Sequence, residues 1–215
     1  MTSPTKRILP LIKLSHRISD PLLDNPFIFN YIRYFLAGKQ NGMKNFISEY
    51  LKKYDCQNVI DFCCGTGDFV DCCDKKVRYL GVDNNIHFIT YSKNRHKNRK
   101  KTTFQVVDVL KPGKIYKKSY DGVLLISAVH HFSDEDLELL LPKIKKITKK
   151  VLIIADIIPD PPYPIQKVIV KFDRGRYVRS KKEKLKILKK YFTVKHTRDI
   201  PTQTAVQYGI VCEVT

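Results

Sequence analysis

From Asn58 onward, short continuous apolar runs alternate with amphipathic stretches, and this order constrains the fold more than any other feature of the chain. The runs are "NVIDFC" (58–63), "VRYLGVD" (77–83), "TFQVVDV" (103–109), "YDGVLLIS" (120–127) and "KVLIIAD" (150–156). A strand covered on one face alternates apolar with polar residues, whereas a parallel strand covered on both faces reads as unbroken Val, Ile and Leu. The segments between them have helical spacing. Ile86 to Arg95 is one, and Asp134 to Thr148 is another, with Leu137, Leu140, Leu141, Ile144 and Ile147 on one face. Ser133 is placed to cap the second, and Asp134, Glu135 and Asp136 suit its first turn. Strand–helix alternation predicts a doubly wound α/β sheet. Two further strands, near "FTVKHTR" and "QYGIVCEV", bring the expected sheet to seven strands, mostly parallel.

Residues 1–57 precede the first strand. "DPLLDNPFIFNYIRYFLAG" reads as a capped amphipathic helix that ends at Gly38, and "GMKNFISEYLKKY" reads as another. The division expected is an N-terminal helical segment, 1–57, and a main domain, 58–215. With 215 residues, 43 % of them hydrophobic, one domain with a sizeable core is expected. No uncharged apolar run reaches the ~18 residues of a membrane span. "ILPLIKL" is too short and too interrupted for a signal peptide, which points to the cytoplasm. In that compartment the six cysteines, including the adjacent pairs Cys63-Cys64 and Cys72-Cys73, are expected as reduced thiols. Their spacing does not suit zinc, and no metal is expected.

"VIDFCCGTGDF" has an acidic strand end, a turn of small residues and then a helical start. Gly65 and Gly67 let the backbone come close to a ligand. Asp83 ends the second strand, where a carboxylate can accept both hydroxyls of a ribose, and Asp108 stands at the end of the third. A dinucleotide loop would need G-x-G-x-x-G and a phosphate-binding loop G-K-[ST], and neither is present. In this order, the residues resemble those of the class I S-adenosylmethionine-dependent methyltransferases, from about Asn58 to Thr215. The resemblance implies a Rossmann-like sheet and S-adenosyl-L-methionine as cofactor. It implies that Asp61, Cys63 and the Gly65-Thr66-Gly67 turn line the methionine end of the cofactor. Asp83, with Asn84 beside it, would hold the ribose. Asp108 and Val109 would face the adenine, and Ser127 would lie near the cofactor floor. The N-terminal segment would form a lid. In the family's D-x-G-x-G-x-G pattern the first glycine is Cys63 here, and a small residue there is expected to keep the turn.

Some relatives that methylate base amino groups carry "DPPY" at the end of the fourth strand. Here Asp160-Pro161-Pro162-Tyr163 follows the fifth strand, and its neighbours Pro159 and Pro164 make it a stiff extended exit. "SAVHHFSDED" follows the fourth strand, where His130 or His131 could serve as general base. "KFDRGRYVRS" (171–180) offers Arg174, Arg176 and Arg179 for a carboxylate or phosphate. Ile165, Val168, Ile169 and Phe172 recur before it at helical spacing and could form an apolar wall. The expected reaction is therefore methyl transfer to a small, lipid-like or anionic metabolite. The alternatives are an RNA or ribosome-associated methyltransferase and a cofactor-binding partner protein without turnover.

The net charge of +19 is carried largely by lysine runs: "KNRHKNRKK" (93–101), "KIKKITKK" (143–150) and "KKEKLKILKK" (181–190). These runs end helices that lead into strands, away from the cofactor side, where the helix dipole favours cations. A nucleic-acid substrate would need a basic path to the methyl donor instead. The runs are consistent with a solvated surface, or with contact to an anionic membrane surface or a ribosome.

Overall fold

A computed structural model describes residues 24–38, 40–111, 113–159, 176–202 and 206–214. The strands are β1 (Asn58–Phe62), β2 (Arg78–Asp83), β3 (Thr102–Val106), β4 (Tyr120–Ile126), β5 (Thr148–Ile157), β6 (Phe192–Pro201) and β7 (Val206–Val214). They form one seven-stranded sheet in the order β3-β2-β1-β4-β5-β7-β6. The first five run parallel, and β7 lies antiparallel between β5 and β6. After β3 the chain crosses back past β1 to place β4 on its other side. Such a reversal opens a crevice beyond the strand ends, between β1 and β4, where ligands of doubly wound sheets bind.

Successive residues of a strand point to opposite faces, so the sheet feeds two cores. One gathers Ile60, Leu125, Ile154 and Ile210 with Leu137, Leu140, Leu141 and Ile144 of α4 (Asp134–Ile147) and Leu188 of α5 (Lys181–Leu188). The other gathers Val59, Leu124, Ile153 and Val211 with Met43, Phe46 and Ile47 of α2 (Asn41–Lys53) and Ile89 of α3 (Ile86–Arg95). Full burial of one such side chain stabilises by about 1.5–3 kcal/mol. Ser133 caps α4 in a reciprocal box with Asp136, and Ser180 caps α5 in the same way with Glu183.

The remaining helix, α1 (Pro26–Ala37), starts at Asn25, whose side chain accepts from the N–H groups of Phe27 and Ile28, and stops at Gly38. The boundary expected at residue 57 does not divide the packing. α2 buries Met43, Phe46, Ile47, Tyr50 and Leu51 in a core of the sheet, so it is a structural layer of the main domain. The third strand ends at Val106, earlier than its apolar run. The Asp108 carboxylate accepts from the Leu110 N–H at 3.1 Å and turns the chain. β3 is also an edge strand in which only Phe104 is buried, so its Val-rich run is not covered on both faces.

Candidate active site

The turn after β1 holds three departures from ordinary backbone. Cys63, Gly65 and Gly67 have φ of 58°, 53° and 74°. Cys63 thus takes the left-handed conformation that glycine would adopt freely, at a cost of about 1–2 kcal/mol for an L-residue. A Cβ on Gly67 would come within 3.1 Å of Phe104 and 3.2 Å of His96, whereas a Cβ on Gly65 would meet nothing within 4 Å. Gly67 is therefore closely packed, and Gly65 borders open space. The His96 ring nitrogen Nε2 lies 2.9 Å from the Gly67 carbonyl, which fixes the far side of the turn.

Three carboxylates surround this turn. Asp83 accepts from the Gly65 N–H through Oδ2 and from the Asn85 N–H through Oδ1, both at 2.9 Å. Burial raises its pKa, and these backbone donors oppose the shift. Asp61, 1 % exposed in the middle of the sheet, accepts from the Tyr79 hydroxyl at 2.5 Å. Burial lifts its pKa to about 7, against the Tyr79 hydrogen bond and helped by the nearby Asp83 and Asp68 charges. Asp68 behaves oppositely. Burial pushes it up, but Arg33 at 2.9 Å and Arg95 at 2.6 Å outweigh burial and hold it below the usual carboxylate range. Arg33 belongs to α1, whose Asn30 also accepts from the Thr66 hydroxyl at 2.8 Å. α1 therefore lies on the glycine turn itself.

The other sequence-predicted cofactor residues lie around the same crevice. Asn84 is exposed directly after Asp83. Asp108 is exposed two residues beyond β3, with Lys111 3.4 Å away. Val109 is buried, and its carbonyl accepts from the Tyr116 hydroxyl. Ser127, with φ of 50°, ends β4 and meets the Gln207 side chain of β7 at 3.2 Å. No signal in the sequence indicated Tyr79, Asn30, Arg33 or Gln207.

Beyond β4 and β5 stands a second buried polar group. His130 is 2 % exposed, and its Nδ1 lies 2.5 Å from Asp156 Oδ1, at the end of β5. Lys184 of α5 is equally buried, donates to the carbonyls of Ile157 and Arg179, and stands 3.8 Å from Asp156 Oδ2. Burial lowers its pKa, and Asp156 opposes that shift. His131 is exposed, with its ring 4.2 Å from that of His130.

The arginine reading needs correction at Arg179. Its guanidinium is engaged on every nitrogen: Nε and Nη2 with Asp134, Nη1 with the carbonyls of Val129 and Tyr177, and Nη2 with the carbonyl of Phe132. No donor is left for a substrate anion, so Arg179 is a structural tie. Arg176 is exposed. Arg174, the wall from Ile165 to Phe172 and Asp160-Pro161-Pro162-Tyr163 lie outside the described residues. None of the helices described is long and apolar enough to cross a membrane. The six cysteines are unpaired, and five of them are buried.

With this geometry in view, the comparisons with known proteins agree. Residues 59–151 match the methyltransferase domain family. Among solved structures, magnesium protoporphyrin IX methyltransferase from Synechocystis PCC 6803 with bound SAH superposes with a TM-score of 0.65 at 16 % identity, over 81 % of this chain and 84 % of that one. The N-methyltransferase NodS from Bradyrhizobium japonicum WM9 gives 0.62 at 11 % identity, over 78 % and 93 %. An S-adenosylmethionine-dependent methyltransferase from Clostridium acetobutylicum ATCC 824 gives 0.65 at 12 % identity, over 81 % and 91 %. No curated protein matches the sequence. The matched segment runs from β1 into β5, and the solved structures share the fold of this sheet.

Proposed function

We propose that the chain is a class I methyltransferase that uses S-adenosylmethionine, and that its acceptor is a small molecule held over the ends of β4 and β5, with His130 as the base that takes its proton. The cofactor, when bound, supplies an electrophilic methyl group on a sulfonium. In the same reading, Asp83 and Asn84 hold the ribose, and Asp61, Cys63, Gly65 and Gly67 line the methionine end. Asp108 and Val109 border the adenine, and Ser127 forms the floor. The open space at Gly65 and the buried carboxylate of Asp83 suit such a ligand. α1, tied to the turn through Asn30 and Arg33, serves as the lid that keeps water out.

The observation that carries the acceptor reading is the buried His130–Asp156 pair. Asp156 accepts from Nδ1–H, which orients the ring and makes Nε2 the basic nitrogen. Nε2 would then take the proton of an acceptor oxygen or nitrogen, while the bound cofactor would supply the methyl group and leave as a neutral thioether. The surroundings also favour a small acceptor over a nucleic acid. The strand ends and the segments that follow them carry Asp61, Asp68, Asp83, Asp108, Asp134 and Glu135, and among the described residues no lysine run leads to them. Two of the structural neighbours are named for small acceptors or an amine: the protoporphyrin methyltransferase and the N-methyltransferase NodS.

The test is transfer of label from methyl-labelled S-adenosylmethionine into fractionated cell extract. Label is expected in a low-mass fraction. His130→Ala should lower transfer about a hundredfold or more, with cofactor affinity unchanged, as expected for loss of a general base. Label appearing in RNA, or full transfer by His130→Ala, would overturn the reading.

A further inference from the structure

Each of the six strands that run in the common direction begins beside a pair of consecutive lysines. Lys52-Lys53 precede β1, Lys75-Lys76 precede β2 and Lys100-Lys101 precede β3. Lys117-Lys118 precede β4, Lys149-Lys150 fall at the start of β5, and Lys189-Lys190 precede β6. All but Lys150 are exposed. Parallel strands start at one edge of a sheet, so these pairs form a single rim opposite the cofactor turn. Asp55, Asp74 and Asp121 stand in the same connections, too few to neutralise it.

Helix dipoles account for only part of this pattern. Four pairs follow α2, α3, α4 or α5, whose C-termini favour cations. Lys75-Lys76 follow a three-residue 3-10 turn, Val70–Cys72, and Lys117-Lys118 end or follow another, Lys114–Lys117. Neither turn is long enough to develop a macrodipole. Among the described residues, these four lysines form no ion pair with an acid. Beside the β4 pair, Lys114, Tyr116, Lys117, Lys143 and Lys146 line an open groove of about 510 Å³.

We propose that this rim docks a flexible single strand of nucleic acid through its phosphates, as a tether and not as the methyl acceptor. The shape decides between polyanions. Seven strands span about 29 Å at ~4.8 Å spacing. Their twist of ~20–25° per neighbour accumulates to about 120–150°, so the strand starts follow a curved arc. A flat anionic membrane meets only the middle of such an arc, and a flexible strand can follow all of it. Among the described residues, the exposed large apolar side chains, Phe27, Tyr31, Tyr34, Ile86, Val106, Leu139 and Tyr177, lie outside these lysine connections, so the described rim offers none for insertion into lipid. The five residues of β1 put the rim roughly 17 Å from the glycine turn, at ~3.3 Å per residue, so a nucleotide held by the rim lysines does not itself reach the methyl group.

The test uses the full chain and a labelled unstructured 30-nucleotide oligonucleotide, followed by fluorescence anisotropy between 50 and 200 mM KCl. Neutralising about six phosphates gives a log–log salt slope of about −4, a loss of roughly a hundredfold or more over this range. Replacing Lys75, Lys76, Lys117 and Lys118 with Gln should weaken binding at least tenfold and flatten the slope by ~2–3. Cofactor binding by calorimetry should stay unchanged, which reports an intact fold. Lys100→Gln with Lys101→Gln, on a different connection, should weaken binding in the same direction if the first variant folds poorly. Vesicles with about a third phosphatidylserine should bind less tightly than the oligonucleotide at equal salt. Absence of oligonucleotide binding at 50 mM salt, binding indifferent to both variants, or tighter binding to vesicles would each overturn the proposal.

Discussion

The two halves of the crevice handle polar groups in opposite ways. Around β1 and β2, the carboxylates of Asp61 and Asp83 have a hydroxyl and backbone N–H groups as partners, and burial raises the pKa of both. Around β4 and β5, Asp156 meets His130 and Lys184, and Arg179 has every nitrogen bound by protein. The first half is held at a cost that a cationic ligand can relieve. In the second, opposite charges meet within the protein, which orients His130 and ties Arg179 in place.

The largest effect that can break this contrast is expected at Arg179. Arg179→Ala leaves the carbonyls of Phe132 and Tyr177 without the guanidinium donor and that of Val129 with the Phe132 N–H alone, and should destabilise the fold by about 3–5 kcal/mol. Thermal unfolding should show a fall of roughly 6–20 °C. An unchanged melting temperature with weakened acceptor kinetics would return Arg179 to the substrate.

Asp61 sharpens the other side through pH. Its folded pKa is raised to about 7 from the ordinary 3.8, so the folded state holds a proton that the unfolded state has lost between those values. Its stabilising contribution is full below about pH 4 and declines as pH rises towards 7, by about 1.4 kcal/mol for each pH unit crossed. Asp61→Asn, still able to accept from Tyr79, should melt higher than the wild type at pH 8 and much closer to it at pH 4. If the carboxylate serves the cationic methionine end, the same variant should bind S-adenosylmethionine more weakly. Equal pH dependence in both proteins would remove Asp61 from the contrast.

Asp83→Ala should weaken cofactor binding at least tenfold by calorimetry, since a charge-assisted hydrogen bond is worth about 1.5–3 kcal/mol. A loss of stability without a loss of affinity would make Asp83 a structural tie like Arg179. The smallest effect is expected at Cys63. Cys63→Gly relieves the left-handed strain but loosens the unfolded chain, for a net gain of up to about 1 kcal/mol, with cofactor affinity intact. A destabilised Cys63→Gly would mean that the thiol's packing outweighs the strain.

The fold was legible because its signals are local. Unbroken Val/Ile/Leu runs gave the order of strands, Ile86 and Arg95 bound α3 as read, and Ser133 caps α4. The end of β3 was not, because an edge position and the Asp108 turn depend on neighbours the run does not name. In the candidate site, the glycine turn and Asp83 announced themselves by spacing. Arg179 did not, since its partners Asp134 and Val129 lie 45 and 50 residues away along the chain. Asp156 was visible as a carboxylate at a strand end, yet only the fold brings it to His130.

The position of β7 has a consequence for how the protein comes into being. It is the seventh strand in the chain, but it occupies an inner place in the sheet, bonded to β5 on one side and β6 on the other. During synthesis, β6 leaves the ribosome with no neighbour to pair with, and β5 waits with an open, apolar edge until residues 206–214 follow. Gln207 of the same strand then reaches Ser127, so the floor of the crevice is completed at that step too. A ribosome that stalls before residue 206 therefore releases a sticky half-sheet and not a weaker enzyme.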